Sequence, residues 1–268
     1  MKKLIAMLLL VPLVLMPVLF SGCGPDAEQV LKGSMRASKD IKTLHFAVES
    51  TIKLPAAPIQ EGRVAKQNYV QKSEGDIDYR TGDMRIKTEL APGVPVTMLQ
   101  VGDKQYWELA GNWYEVPQAV QLPPPVTQAL SVSQYIKYFK ELKKLGDTKI
   151  DGEACYHIRG IPDMEALVKL PGVTDLLKDP EGKQVRTVDE LEELKAEFDF
   201  YILKKNEYFK SSVEVIKYRA TDDLIKLGYA KPGDMVTGEA TVVLSDYNKK
   251  LTIKAPDQVS PLPLPAQE

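Results

Sequence analysis

Cysteine and histidine are nearly missing from this sequence: it has Cys23 and Cys155, His45 and His157, and no others. No Cys or His cluster therefore carries metal-ligand spacing. Both histidines fall in alternating, strand-like stretches rather than in a group. Also missing are a Gly-x-Ser-x-Gly nucleophile elbow, a phosphate-cradling Gly-rich loop with its Lys, and a dinucleotide fingerprint. These absences argue against an enzyme and against a cofactor. An excess of either charge is missing too. Lys and Arg number 35 and Asp and Glu 37, for a net charge of -2, and the signs are interspersed. A basic face for nucleic acid is not expected, and the charges read as a solvated surface.

Long apolar runs are confined to one place, Leu4 to Phe20 at the N-terminus. Lys2 and Lys3 precede it and Ser21-Gly22-Cys23 follows. A positive start, an apolar stretch and small residues before a cut site make an export signal. The run falls just short of the roughly 20 residues that span a bilayer as a helix. Phe20-Ser21-Gly22-Cys23 resembles the lipobox of bacterial lipoproteins, departing from it in Phe20, where Leu is usual. That resemblance implies removal of residues 1–22 and a covalent diacylglycerol and acyl lipid, palmitate among the possible chains, on Cys23. Two or more chains hold a protein stably on a membrane. The mature chain would lose Lys2 and Lys3 and no acid, and so be slightly more acidic. With Cys23 lipidated, Cys155 has no disulfide partner, and stability must come from a core. In its alternating stretch, Cys155 reads as a buried thiol behaving as a small hydrophobe.

After a short tether, residues 23–25, Asp26 is placed to cap a helix running to Ile41, with Ala27, Val30, Leu31, Ser34 and Ser38 on one face. Strand patterns then dominate. Leu44, Phe46, Val48 and Ile52 alternate with polar neighbours. Residues 54–62 read as a loop and 63–80 as a polar strand. Strands at 83–90, 96–101, 104–109 and 113–116, joined by short Gly-containing turns, read as an antiparallel meander. Beyond Pro123-Pro124-Pro125, the apolar spacing of Val132, Ile136, Phe139 and Leu142 predicts an amphipathic helix over 131–145, opened by a capping box. Asp151-Gly152 marks a tight hairpin between 147–150 and 153–159. A helical zone is expected over 163–197, its first piece capped by Asp163. Strands are expected at 198–204, 208–219, 235–247 and 251–254, a short helix at 222–227, and a loose Pro-rich tail over 257–268. The result is one α+β domain over 26–256.

Two groups of residues stand out. Glu74, Asp76 and Asp78 alternate on one strand and could gather a cation, although an exposed edge strand is the simpler expectation. Tyr106-Trp107 and Trp113-Tyr114 face each other across a hairpin and can stack.

The order of these features resembles the LolA/LppX-like lipoproteins of the bacterial envelope. It comprises the lipobox, the helix, Leu44-His45-Phe46-Ala47-Val48, Val101-Gly102-Asp103-Lys104-Gln105-Tyr106, Gly111-Asn112-Trp113-Tyr114, Asp151-Gly152 before Tyr156-His157-Ile158, Leu244-Ser245-Asp246-Tyr247-Asn248 and Ile253-Lys254-Ala255-Pro256. The resemblance implies a strongly curved antiparallel sheet, an open half-barrel, with helices on its concave face. It also implies binding of a lipid or other hydrophobic ligand between sheet and helices, on the extracytoplasmic face of a membrane, without catalysis. Alternation and helical phase then nominate Leu44, Phe46, Val48, Met84, Ile86, Tyr106, Ile136 and Phe139 as ligand-lining residues. A second implication is that such a fold serves as a regulatory or structural module that binds an envelope protein partner.

Overall fold

The computed structural model describes residues 24–55, 68–91, 93–117, 138–168, 194–220, 222–226 and 229–261. Their centre is a 12-stranded sheet in the order β12-β6-β5-β4-β3-β2-β1-β11-β10-β9-β8-β7. The strands are β1 (Thr43–Lys53), β2 (Asn68–Asp78), β3 (Asp83–Ala91), β4 (Val94–Val101), β5 (Lys104–Leu109), β6 (Asn112–Val116), β7 (Phe139–Ile150), β8 (Glu153–Pro162), β9 (Lys195–Leu203), β10 (Phe209–Arg219), β11 (Met235–Ser245) and β12 (Ser260–Pro261). Every pairing is antiparallel except that of β12 with β6. Three short helices accompany it: α1 (Ala27–Ser38), α2 (Met164–Val168) and α3 (Asp222–Lys226). The described chain is thus mostly β, with less helix than the α+β expectation.

Local chemistry explains most of these elements. The Asp26 carboxylate accepts from the Gln29 backbone N–H at 2.8 Å, and the Gln29 side chain accepts from the Asp26 N–H at 3.2 Å, closing a capping box at the start of α1. The buried face of α1 is Ala27, Val30, Leu31 and Ser34, as the helical spacing predicts. Asp163 caps α2 by accepting from the Ala166 N–H at 3.0 Å. Two hairpins turn through left-handed pairs, Ala110 (φ 51°) with Gly111 (φ 81°) and Asp151 (φ 50°) with Gly152 (φ 79°). Such pairs match the twist of the flanking strands.

Several expectations are overturned. Residues 139–145 are not helical but open β7, so Phe139 sits on a strand; 131–137, with Ile136, lie outside the described residues. Register shifts between Phe139 and Glu141 and between Lys144 and Gly146 are the reason. An extra residue on one strand resets the two-residue period. It lets Phe139 and Leu142, three apart, reach the same face and imitate a helix. Of the helical zone 163–197, residues 195–197 belong to β9, and 169–193 lie outside the described residues. Residues 251–254 form no strand. The tail is not loose where it is described, because Ser260 and Pro261 pair with Tyr114 and Glu115.

The sheet has an apolar inner face with two packed clusters. One gathers Leu44 and Phe46 of β1, Met84 and Ile86 of β3, Val242 and Leu244 of β11 and their neighbours. The other sets α1 against Ile158 of β8 and Phe200 and Ile202 of β9. Phe209 packs against both and joins them. The helix covers the β7–β9 end of the sheet, where it touches β7 and β9.

Candidate functional site

The inner face is built by register. Phe46 lies opposite Gly75 on β2 and Leu244 on β11. Gly75 lies opposite Ile86, Ile86 opposite Met98, and Met98 opposite Trp107. One row of side chains thus crosses six strands on a single face. Leu44, Phe46, Met84 and Ile86 are all in this cluster, Phe46 and Ile86 each 1% exposed, and Val48 packs against it. Phe139 packs against the other cluster, edge-on to Phe198 and Phe200 at 5.6 and 5.7 Å between ring centroids. Tyr106 lies outside the cluster of Leu44 and Phe46. Its register partners are Leu99 and Glu115, which puts it on the opposite face from Trp107. Both residues of the Tyr106-Trp107 pair are at least half-buried, so apolarity alone does not separate them; the phase set by Met98 does.

Trp107 is therefore the inward aromatic, and it carries a feature absent from the predicted list. Its Nε1 is buried with no acceptor among the described residues. An unpaired buried donor costs about 1–3 kcal/mol. The one signal in the sequence is the pair of aromatic dipeptides on facing strands; the structure pairs Trp107 with Tyr114.

The outer face is polar and ordered by charge. Asp76 receives His45 Nδ1 at 2.9 Å and Arg85 at 2.5 Å from the two flanking strands. Asp199 receives His157 Nε2 at 2.8 Å and both Arg159 Nε and an Arg159 amino group at 3.0 Å. His157 also stacks on Tyr201 at 4.7 Å. Burial pushes both carboxyls up, but the hydrogen bonds from His and Arg outweigh it, and both are held below the ordinary carboxylate range. The cation idea fails here. Glu74, Asp76 and Asp78 are each bridged to a base, Lys87, Arg85 and Arg80 respectively, and β2 is an interior strand. No group of three or more candidate metal ligands occurs among the described residues.

Strands β11, β1, β2 and β3 also border an open groove of about 610 Å³ on this face, floored by Ala47, Thr241 and Val243. Its rim carries the pairs Glu49–Lys72 at 2.8 Å and Glu74–Lys87 at 3.6 Å. Of the predicted lining residues only Val48 borders it. Cys155 is fully buried, and burial pushes its thiol up, which leaves little thiolate.

An open, almost wholly antiparallel sheet with an apolar inner face and a helix at one end defines a LolA/LppX-like half-barrel. No family model and no curated protein matches the chain. Among solved structures, LprF from Mycobacterium bovis aligns at a TM-score of 0.51 with 15% identity, over 86% of this chain and 96% of that one. Lipoprotein LppX from Mycobacterium tuberculosis aligns at 0.49 with 14% identity, over 84% and 96%. A LolA superfamily protein from Nitrosomonas europaea aligns at 0.28 with 13% identity, over 87% and 96%. The chain shares the fold of LprF across most of its length, and at this identity the likeness is one of fold.

Proposed function

We propose that this chain is a membrane-anchored, non-enzymatic lipoprotein that holds a lipid or other hydrophobic ligand against the inner face of its sheet, outside the cytoplasm. One observation carries the reading. The inner face of β11, β1, β2, β3 and β4 is a continuous, buried apolar cluster, and it ends at Trp107 with an N–H that lacks an acceptor among the described residues. An ester carbonyl entering beside that ring would supply the acceptor. Acyl chains taken up against this cluster would add about 0.8 kcal/mol per CH₂ removed from water. The shared half-barrel fold supports the same reading, since curved apolar sheets leave concave sites suited to such ligands. Cys23, outside the described residues, is the proposed lipid attachment point.

Native mass spectrometry of residues 24–268, purified gently, tests the ligand. Extra mass that releases a lipid on denaturation is the expected result. A bare mass, unchanged after incubation with envelope lipids, refutes the carrier reading. Loss of labelled palmitate and release from the membrane fraction in Cys23→Ser would establish the anchor; retention of both would exclude it.

A further inference from the structure

Glu214 is out of place. On β10, Ser212 lies opposite Phe200 and Val242, both core residues of the inner face. Two residues on, Glu214 therefore shares that face, opposite Phe198 on one side and Ala240 on the other. It is half-buried, and it makes no hydrogen bond or ion pair with any described residue. Desolvation alone acts on its carboxyl, pushing it up. A carboxyl kept in an apolar face without a partner costs stability, which calls for a compensating role.

The described side chains beside it toward β11 and β1 are small. Three glycines lie on the inner face. A Cβ at Gly75 would strike the Phe46 ring at 2.7 Å, and one at Gly160 would strike the Phe139 ring at 2.6 Å, so both places are filled. At Gly238, opposite Ile216 and two register steps from Glu214, the nearest described atom is the Ile216 carbonyl at 3.9 Å. Ile52 lies opposite Gly238 and is 43% exposed, although it shares the face of the buried Phe46. Small residues, Ala240 and Ser50, pair between them. Among the described residues, the inner face carries small side chains beside Glu214 and is tightly packed around Phe46. Four residues separate Ser50 from Phe46, about 13 Å along a strand. That spacing places a polar end and an apolar cluster on one face of the sheet.

Charge narrows the ligand. The inward positions of β9, β10, β11 and β1 carry no Lys or Arg, from Ala196 to Ile202, Ser212 to Tyr218, Val236 to Leu244 and Leu44 to Ile52. Nothing there would hold a phosphate or a free fatty-acid carboxylate, and Glu214 would repel either. A carboxyl accepts a hydroxyl hydrogen bond whether or not it is ionised. Resting on the lipid-binding reading above, we infer that Glu214 is a headgroup-recognising residue, accepting a hydrogen bond from the free hydroxyl of a neutral glycerolipid whose chains lie toward Phe46.

The test uses residues 24–268 and three probes: dioleoylglycerol, trioleoylglycerol, which lacks the hydroxyl, and oleate. Competition against a fluorescent diacylglycerol gives relative affinities. Wild type is expected to prefer dioleoylglycerol to trioleoylglycerol by on the order of tenfold to a hundredfold, the worth of a hydrogen bond to a desolvated carboxyl. Oleate should bind weakest. Glu214→Leu should abolish the preference while keeping trioleoylglycerol binding, and its urea midpoint should match or exceed that of wild type. Glu214→Gln, whose amide oxygen still accepts, should keep part of the preference. Equal binding of the two glycerides by wild type, a preference that survives in Glu214→Leu, or a clear drop in that variant's urea midpoint would overturn this inference alone. Failure of wild type to bind any of the three would overturn it together with the carrier reading.

Discussion

Replacing Gly75 with Ala is a severe test of how the inner face is packed. The added methyl would lie 2.2 Å from the Arg85 carbonyl oxygen and 2.7 and 2.8 Å from two carbons of the Phe46 ring. The ring has nowhere to go, being 1% exposed within its cluster. The carbonyl belongs to β3, so relieving that contact means pushing β3 away from β2. Overpacking of a tight core costs about 1–3 kcal/mol, and two collisions, one with backbone, place this change near the top, at about 3 kcal/mol. The smaller entropy of the unfolded Ala chain returns only about 0.4–1 kcal/mol. For a chain of this size each kcal/mol moves the melting midpoint by roughly 2–4 °C, so a net loss of about 2–2.6 kcal/mol should lower Tm by about 4–10 °C. Calorimetry and urea unfolding of residues 24–268 measure it. Adding Phe46→Leu should recover only part of the clash, because the carbonyl contact remains; a double-mutant cycle reads that coupling. A Gly75→Ala protein within about 0.5 kcal/mol of wild type would refute the placement of Phe46 over Gly75, and with it the register of β1, β2 and β3.

Other outcomes follow from the outer face, the core and α1. Asp76 and Asp199 have carboxyl pKa values held below the ordinary range, so their contribution to stability is present above the unfolded value of about 3.9 and is lost as pH falls through the folded one. Urea midpoints should therefore drop below about pH 4, and Asp199→Asn should show a shallower drop; an unchanged slope would contradict the pairing with Arg159 and His157. Cys155, fully buried with its thiol pushed up by desolvation, should resist a thiol reagent in the native protein and react once unfolded. Fast labelling of the folded chain would show that β8 and β9 open there. Asp26→Ala removes a capping box and should cost α1 about 1 kcal/mol, read from urea unfolding. Trp107→Phe removes the buried N–H without an acceptor, so the ligand-free protein should lose little stability while lipid affinity falls; unchanged affinity would remove Trp107 from the site.

Much of the sheet was legible because its turns and its alternation agree. From β3 to β6 each hairpin closes through a short turn, and the two-residue period runs unbroken along most of each strand. The capping box of α1 is equally local. Legibility failed where the chain inserts a residue. The irregularities in β7 turned Phe139 and Leu142 into a false helical face, and the shift between Phe209 and Ser211 resets the phase of β10. That second shift hid Glu214: counted straight from Phe209, the position does not announce itself as inward. The face of Tyr106 was hidden for a different reason. Both faces of β5 bury an aromatic residue, and only the partner strand says which belongs to the apolar cluster. Pairing is a long-range property, and one strand's composition does not contain it.

The position of β1 bears on how the molecule comes to exist. The first strand of the chain lies at the middle of the sheet, between β2, which follows it, and β11, whose residues 235–245 come near the end. A chain delivered N-terminus first, from a ribosome or through a translocation pore, can wind β1 to β6 into a meander at once. It must then carry β1 with one bare edge of backbone donors and acceptors until β11 arrives. Bare edges invite mispairing and aggregation. The closing step joins segments nearly two hundred residues apart in sequence, a long-range contact of the kind that slows folding. β11 therefore works as a latch, and until it has been delivered the two meanders remain halves that no hydrogen-bonded ladder unites.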